Sequence, residues 1–105
     1  MYEIQGIFIT KAFILDFLSQ HKNEFFQKYG VTKIGLFGSY VRGDFKEESD
    51  IDIAIEMLNE KKSLSTFFAL KRELEDAFKL KVDLGIESTL KPIAKKKILK
   101  EIIYV

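Results

Sequence analysis

Residues 50–57 read DIDIAIEM, and this strict alternation constrains the fold more than any other stretch. Side chains of a β-strand point alternately to opposite faces. Ile51, Ile53 and Ile55 therefore share one face, and Asp50, Asp52, Ala54 and Glu56 share the other. The isoleucines enter a core, while like charges are gathered on the reverse side, where they repel unless something positive lies among them.

A second segment repeats the pattern. In KVDLGI, Val82, Leu84 and Ile86 face one way, and Asp83 faces the other with Lys81 and Gly85. If the two strands are neighbours, Asp50, Asp52 and Asp83 converge at separations of roughly 5–7 Å. A lone Asp-x-Asp is more often the solvent side of an amphipathic strand, but a third aspartate with matching alternation on another strand weakens that reading. An all-oxygen set of this kind suits Mg²⁺, which takes a few carboxylates, waters and substrate phosphates. Two such ions, arriving with a nucleotide, can clamp an in-line displacement at phosphorus.

Upstream, LFGSYVRG puts Gly38 and Ser39 between a strand and a short helix. Glycine lets the backbone approach a ligand closely, serine offers a hydroxyl, and free N–H groups at a helix start favour phosphate. Arg42, one turn on, is placed either to meet a phosphate oxygen or to stand as a solvated helix residue. Gly43 reads as a helix C-cap. No Gly-Lys-Ser/Thr follows, so this is not a Walker loop.

The remaining pattern alternates helices with strands. Thr10 caps a helix to Tyr29 that places Ile14, Leu18, His21 and Phe25 on one face, and Gly30 stops it. Residues 31–37 form a buried strand. Residues 45–49 are a polar loop and 58–62 a polar turn. Ser63 or Ser65 caps a helix to about Lys79, with Leu64, Phe67, Leu74 and Phe78 inward. Pro92 starts a last helix over 92–101, and the apolar tail IIYV packs down. MYEIQGIFIT is read as an arm or a short strand. The sum is an α/β domain with a small sheet, one domain over residues 1–105.

Charge is nearly balanced, with 17 Lys and Arg against 16 Asp and Glu. That lacks the basic footprint of nonspecific nucleic-acid binding, and so argues against direct contact with nucleic acid. There is no cysteine, no signal peptide and no apolar run near the length of a membrane span, so the chain is read as cytoplasmic and not membrane-bound. His21, on an inner helix face, reads as a core or interface histidine. The run Lys95, Lys96, Lys97 and Lys100 reads as a solvated face, with docking as the minority reading. Phe25-Phe26 and Phe67-Phe68 cannot both face inward, which leaves one ring of each pair for a partner or a second copy of the chain.

Gly38-Ser39, ten residues, Asp50-x-Asp52 and a later Asp83 together resemble the DNA polymerase β-like nucleotidyltransferase superfamily, and more narrowly its minimal nucleotidyltransferases. KIGLFGSYVRGDFKEESDIDIAIE is the most specific part of the likeness, and the ending from Lys81 to Val105 is also similar. The resemblance implies the small α/β nucleotidyltransferase fold with a mixed sheet. It implies that Asp50 and Asp52 bind two Mg²⁺ ions. Asp83 would complete the metal site and help to deprotonate the attacking hydroxyl, while Gly38 and Ser39 would hold a triphosphate. It further implies an antitoxin that transfers AMP from ATP, or another nucleotide from its triphosphate, to a tyrosine of a HEPN-domain toxin. These 105 residues carry no added domain to hold an acceptor, which favours a protein acceptor supplied in trans. Two alternatives stand beside this reading: an antitoxin that works by binding alone, and a nucleotidyltransferase with another acceptor, nucleic-acid ends being the weakest case.

Overall fold

The computed structural model describes residues 9–105, so the arm or strand read in the first ten residues lies almost wholly outside the described residues. The elements run α1 (Lys11–Tyr29), β1 (Val31–Phe37), α2 (Ser39–Arg42), β2 (Ile51–Met57), α3 (Leu64–Phe78), β3 (Val82–Ile86), α4 (Pro92–Leu99) and β4 (Ile103–Tyr104), with 3-10 turns at Asn59–Lys61 and Glu87–Thr89.

The helix boundaries follow local chemistry. Thr10 Oγ1 accepts the N–H of Phe13 and Ser63 Oγ that of Thr66, so each satisfies a donor that the first turn leaves open. Gly30 ends α1 in the left-handed region at φ 71°, and its N–H returns to the carbonyls of Phe25 and Phe26.

Four strands form one mixed sheet in the order β3-β2-β1-β4. β1 is antiparallel to both β2 and β4, whereas β2 and β3 are parallel and joined through α3. A parallel pair needs such a crossover, and α3 uses it to cover one face of the sheet. On that face Ile14, Leu18 and Phe25 from α1 and Leu70, Leu74 and Phe78 from α3 meet Ile34, Leu36, Ile51, Ile53, Ile55, Val82 and Leu84, all buried. Each such side chain contributes about 1.5–3 kcal/mol by leaving water. Phe17 and Phe78 meet edge-on with ring centroids 5.0 Å apart, across the seam between the helices.

Two expectations are corrected. Leu64 is 76% exposed rather than inward, because Ser63 is the cap and Leu64, at the first helical position, projects beyond the end of the packed face. The last helix stops at Leu99 rather than at 101, while the apolar tail does pack down, as a short edge strand on β1. The reverse face of the sheet is partly covered by the C-terminal segment. Gly35, Ala54 and Gly85 lie side by side across β1, β2 and β3. A Cβ on Gly35 would stand 2.8 Å from Ile102, and one on Gly85 would lie 3.6 Å from Leu90. This row of small residues admits the C-terminal segment. Lys33, Glu87 and Tyr104 pin its end: Lys33 Nζ donates to Glu87 at 3.1 Å, and the Tyr104 hydroxyl donates to Glu87 at 2.6 Å.

Candidate active site

The aspartates stand at one end of that reverse face. β2 and β3 are in parallel register with Asp52 directly beside Asp83, so their backbones are about 4.8 Å apart by the spacing of paired strands. Asp50 precedes β2, where the N–H of Ile51 bonds to the carbonyl of Lys81 and ties the start of β2 to β3. Asp50 and Asp83 are exposed and Asp52 is half-buried. Asp83 lies on the strand face opposite Val82 and Leu84, so alternation and pairing together set it beside Asp52.

Across β1 the register continues from Asp52 to Phe37, and the chain then turns at Gly38 into α2. Gly38 has φ 81° and ψ −152°, a conformation open to glycine alone. Its missing side chain matters as much: a Cβ there would overlap Asp52 Oδ2. The glycine turn thus rests directly on the carboxylate. Ser39 opens α2 half-buried, and its hydroxyl has no hydrogen-bond partner among the described residues. Tyr40 stacks on Phe45 at 4.3 Å and anchors the other side of α2.

Electrostatics mark the same spot. Burial first, then the negative charges of Asp83 and Asp50, push the Asp52 carboxyl up to about 6, while Arg42 pulls it the other way. Among the described residues no three acidic or histidine side chains are gathered closely enough to enclose an ion unaided. A hydrated divalent cation that takes its remaining oxygens from water and phosphate fits this looser arrangement, because Mg²⁺ keeps several waters and leans on substrate phosphates. The donor set is all carboxylate, hard oxygen throughout, and crowded enough for its charge to favour a cation.

A cleft of about 280 Å³ adjoins the turn, lined by Gly38, Arg42, Asp52, Lys97, Ile98 and Glu101 among others. A hollow of about 400 Å³ beside Leu64, Phe67 and Leu84 holds none of the candidate metal- or nucleotide-binding residues. The smaller cleft is the one joined to the chemistry, because Asp52 and the glycine turn both line it.

Two further residues, neither of them a candidate site residue from the sequence, belong to this cleft. Lys97 lines it, although the lysine run reads as a solvated face. Glu101 reaches it from beyond the end of α4 and accepts the N–H of Gly38 at 2.7 Å and Arg42 Nη1 at 3.2 Å. Arg42 Nε also pairs with Asp44 at 3.3 Å, so Arg42 is neither a free solvated residue nor an unengaged phosphate ligand. The one signal for Glu101 was a single acid between a lysine run and an apolar tail. His21 stacks on Phe17 at 4.0 Å, far along α1, in keeping with its reading as a packing residue.

Residues 18–105 match the family of the nucleotidyltransferase domain. The chain belongs to this family. It is a nucleotidyltransferase, and its mixed sheet with flanking helices is that fold. It is 43% identical over 97 residues to the protein adenylyltransferase MntA of Thermococcus cleftensis, covering 92% of this chain and 97% of the relative. A solved structure described as a minimal nucleotidyltransferase superposes with a TM-score of 0.76 at 26% identity, covering 93% of this chain and 98% of that one. A chain of a toxin–antitoxin crystal structure with AMP-PNP shares the fold at a TM-score of 0.67 and 22% identity, covering 81% of this chain and 69% of that one. Among the described residues no helix is long and apolar enough to cross a membrane.

Proposed function

We propose that the chain is a Mg²⁺-dependent protein adenylyltransferase that moves AMP from ATP onto a tyrosine hydroxyl of a HEPN-type toxin, and so acts as that toxin's antitoxin. The observation that carries this reading is the registered pair Asp52 and Asp83, set against the Gly38 turn with Asp50 alongside. The 43% identity to a protein adenylyltransferase over nearly the whole of both chains supports the choice of transferred group and of a protein acceptor. The fold shared with a toxin–antitoxin complex supports the class of partner.

In this reading Asp50, Asp52 and Asp83 hold two Mg²⁺ ions. When bound, the ions neutralise the triphosphate and lower the barrier to attack at phosphorus. The N–H of Gly38, the Ser39 hydroxyl and the Arg42 guanidinium hold the β- and γ-phosphates, where charge grows as pyrophosphate leaves. Asp83, exposed beside Asp52, takes the proton from the acceptor hydroxyl. The oxygen of that hydroxyl bonds to the α-phosphorus, the α–β anhydride bond breaks in line, and pyrophosphate departs.

The test is incubation of the chain with α-labelled ATP, Mg²⁺ and the candidate toxin encoded beside it. Label is expected on the toxin, at tyrosine, and not with the Asp50→Asn, Asp52→Asn double variant. If that variant neutralises the toxin as well as the native chain and no label moves, neutralisation is by binding alone and the transfer reading falls.

A further inference from the structure

Two of the three groups assigned above to the triphosphate already hold an anion, and that anion belongs to the chain. Glu101 Oε2 accepts the N–H of Gly38 at 2.7 Å, and both of its oxygens lie 3.2 Å from Arg42 Nη1. A carboxylate held by a turn N–H and a guanidinium reproduces the contacts of a phosphate oxygen in the same place. The contact joins residues 63 apart in sequence, so it reflects the closed fold rather than a local turn.

The N–H of Gly38 cannot serve two anions at once, and the edge of Arg42 that faces the turn is already taken. A backbone N–H has one proton to give. Arg42 commits Nη1 to Glu101 and Nε to Asp44. A triphosphate entering with several negative charges would also meet the Glu101 carboxylate at close range and be repelled by it. The backbone around Glu101 is not free to carry it away, because Ile102 packs on Gly35 and Tyr104 is bonded to Glu87. The side chain alone can swing. It is 21% exposed and opens on the cleft, so water can receive it.

We propose that Glu101 is an internal phosphate mimic that occupies the triphosphate subsite of the empty enzyme, and that an incoming polyphosphate displaces it. The proposal rests on the nucleotidyltransferase reading above. It assigns Glu101 a role distinct from the aspartates: it holds the glycine turn and Arg42 in their binding geometry without nucleotide, and it sets a threshold of affinity that only a multiply charged ligand overcomes. A nucleoside or a monophosphate gains too little at this subsite to expel it.

The experiment is calorimetric titration of the full chain and of Glu101→Gln with AMP-PNP, inorganic tripolyphosphate and adenosine, each with Mg²⁺. Glutamine keeps the shape and can accept the Gly38 N–H, but carries no charge. AMP-PNP and tripolyphosphate are expected to bind the variant about five- to tenfold more tightly, with adenosine unaffected. On the native chain, which removes any question of the variant's folding, tripolyphosphate is expected to shift both the Gly38 amide resonance and the Glu101 side-chain carboxyl resonance. If the native chain binds AMP-PNP while the variant binds it equally or more weakly, or if the carboxyl resonance stays fixed at saturation, the proposal is overturned and the transferase reading stands. If neither protein binds AMP-PNP or tripolyphosphate, the transferase reading fails, and the proposal with it.

Discussion

Gly38 lies directly on Asp52: a Cβ at position 38 would overlap the Oδ2 of Asp52 and stand 2.8 Å from its Cγ. The turn and the carboxylate are one unit, built by the register of β1 against β2. Gly38→Ala must therefore either move Asp52 or break the turn, and it also forces a side chain into φ 81°. We expect a loss of about 1–3 kcal/mol in stability and a fall of at least about a hundredfold in transfer. Thermal melting and an AMP-transfer assay measure the two, and native-like transfer by the variant would refute the arrangement.

Asp52 is held at a cost to the protein in the absence of a cation, since it is half-buried beside Asp83 and near Asp50. Asp52→Asn removes that repulsion with little change of shape. Transfer should fall by about a thousandfold or more. Without metal or nucleotide the melting temperature should stay level or rise by about 2–4 °C. A clear drop in melting temperature would mean that the carboxylate stabilises the fold, contrary to its surroundings.

Glu56 shows the opposite balance at the other end of β2. Burial opposes its charge, but bonds from the Ser88 and Met57 N–H groups and from Lys62 outweigh burial and lower its carboxyl to about 2. Its ordinary value of 4.5 returns on unfolding, so between those two values the unfolded chain binds more protons. The stabilisation is full above about pH 4.5 and is lost as pH falls towards 2, by about 1–3 kcal/mol for a side chain that keeps some exposure. Urea unfolding of the native chain and Glu56→Gln at pH 6, 4 and 3 checks this. The gap between them should close as the pH drops, and a gap independent of pH would contradict the assignment.

Glu87 is 7% exposed and depends on the Tyr104 hydroxyl and Lys33 for its hydrogen bonds. Tyr104→Phe leaves one carboxylate oxygen short of a donor and should cost about 1–3 kcal/mol. The loss should fall first on β4, seen as faster amide exchange of Val105, whose N–H bonds to the carbonyl of Ile34. Unchanged exchange there would show that β4 is held by other contacts.

Period-two alternation is a property of a few consecutive residues. DIDIAIEM and KVDLGI therefore declared by themselves which side chains enter the core and which carboxylates share the reverse face. The caps at Thr10 and Gly30 were legible for the same reason, since each acts within five residues along the chain, whereas the choice of Ser63 over Ser65 was left to the structure. The pairing of β2 with β3 that sets Asp52 beside Asp83 was only a condition in the sequence, and the α3 crossover met it. Leu64 was misread because the helical period cannot say where the packed face ends. The edge strand at Ile103–Tyr104, the Gly35–Ala54–Gly85 row beneath the C-terminal segment, and the seat of Glu101 on Gly38 and Arg42 were decided by tertiary structure alone. Those contacts join distant parts of the chain, and no local spacing encodes which carboxylate reaches a given N–H once the sheet has closed.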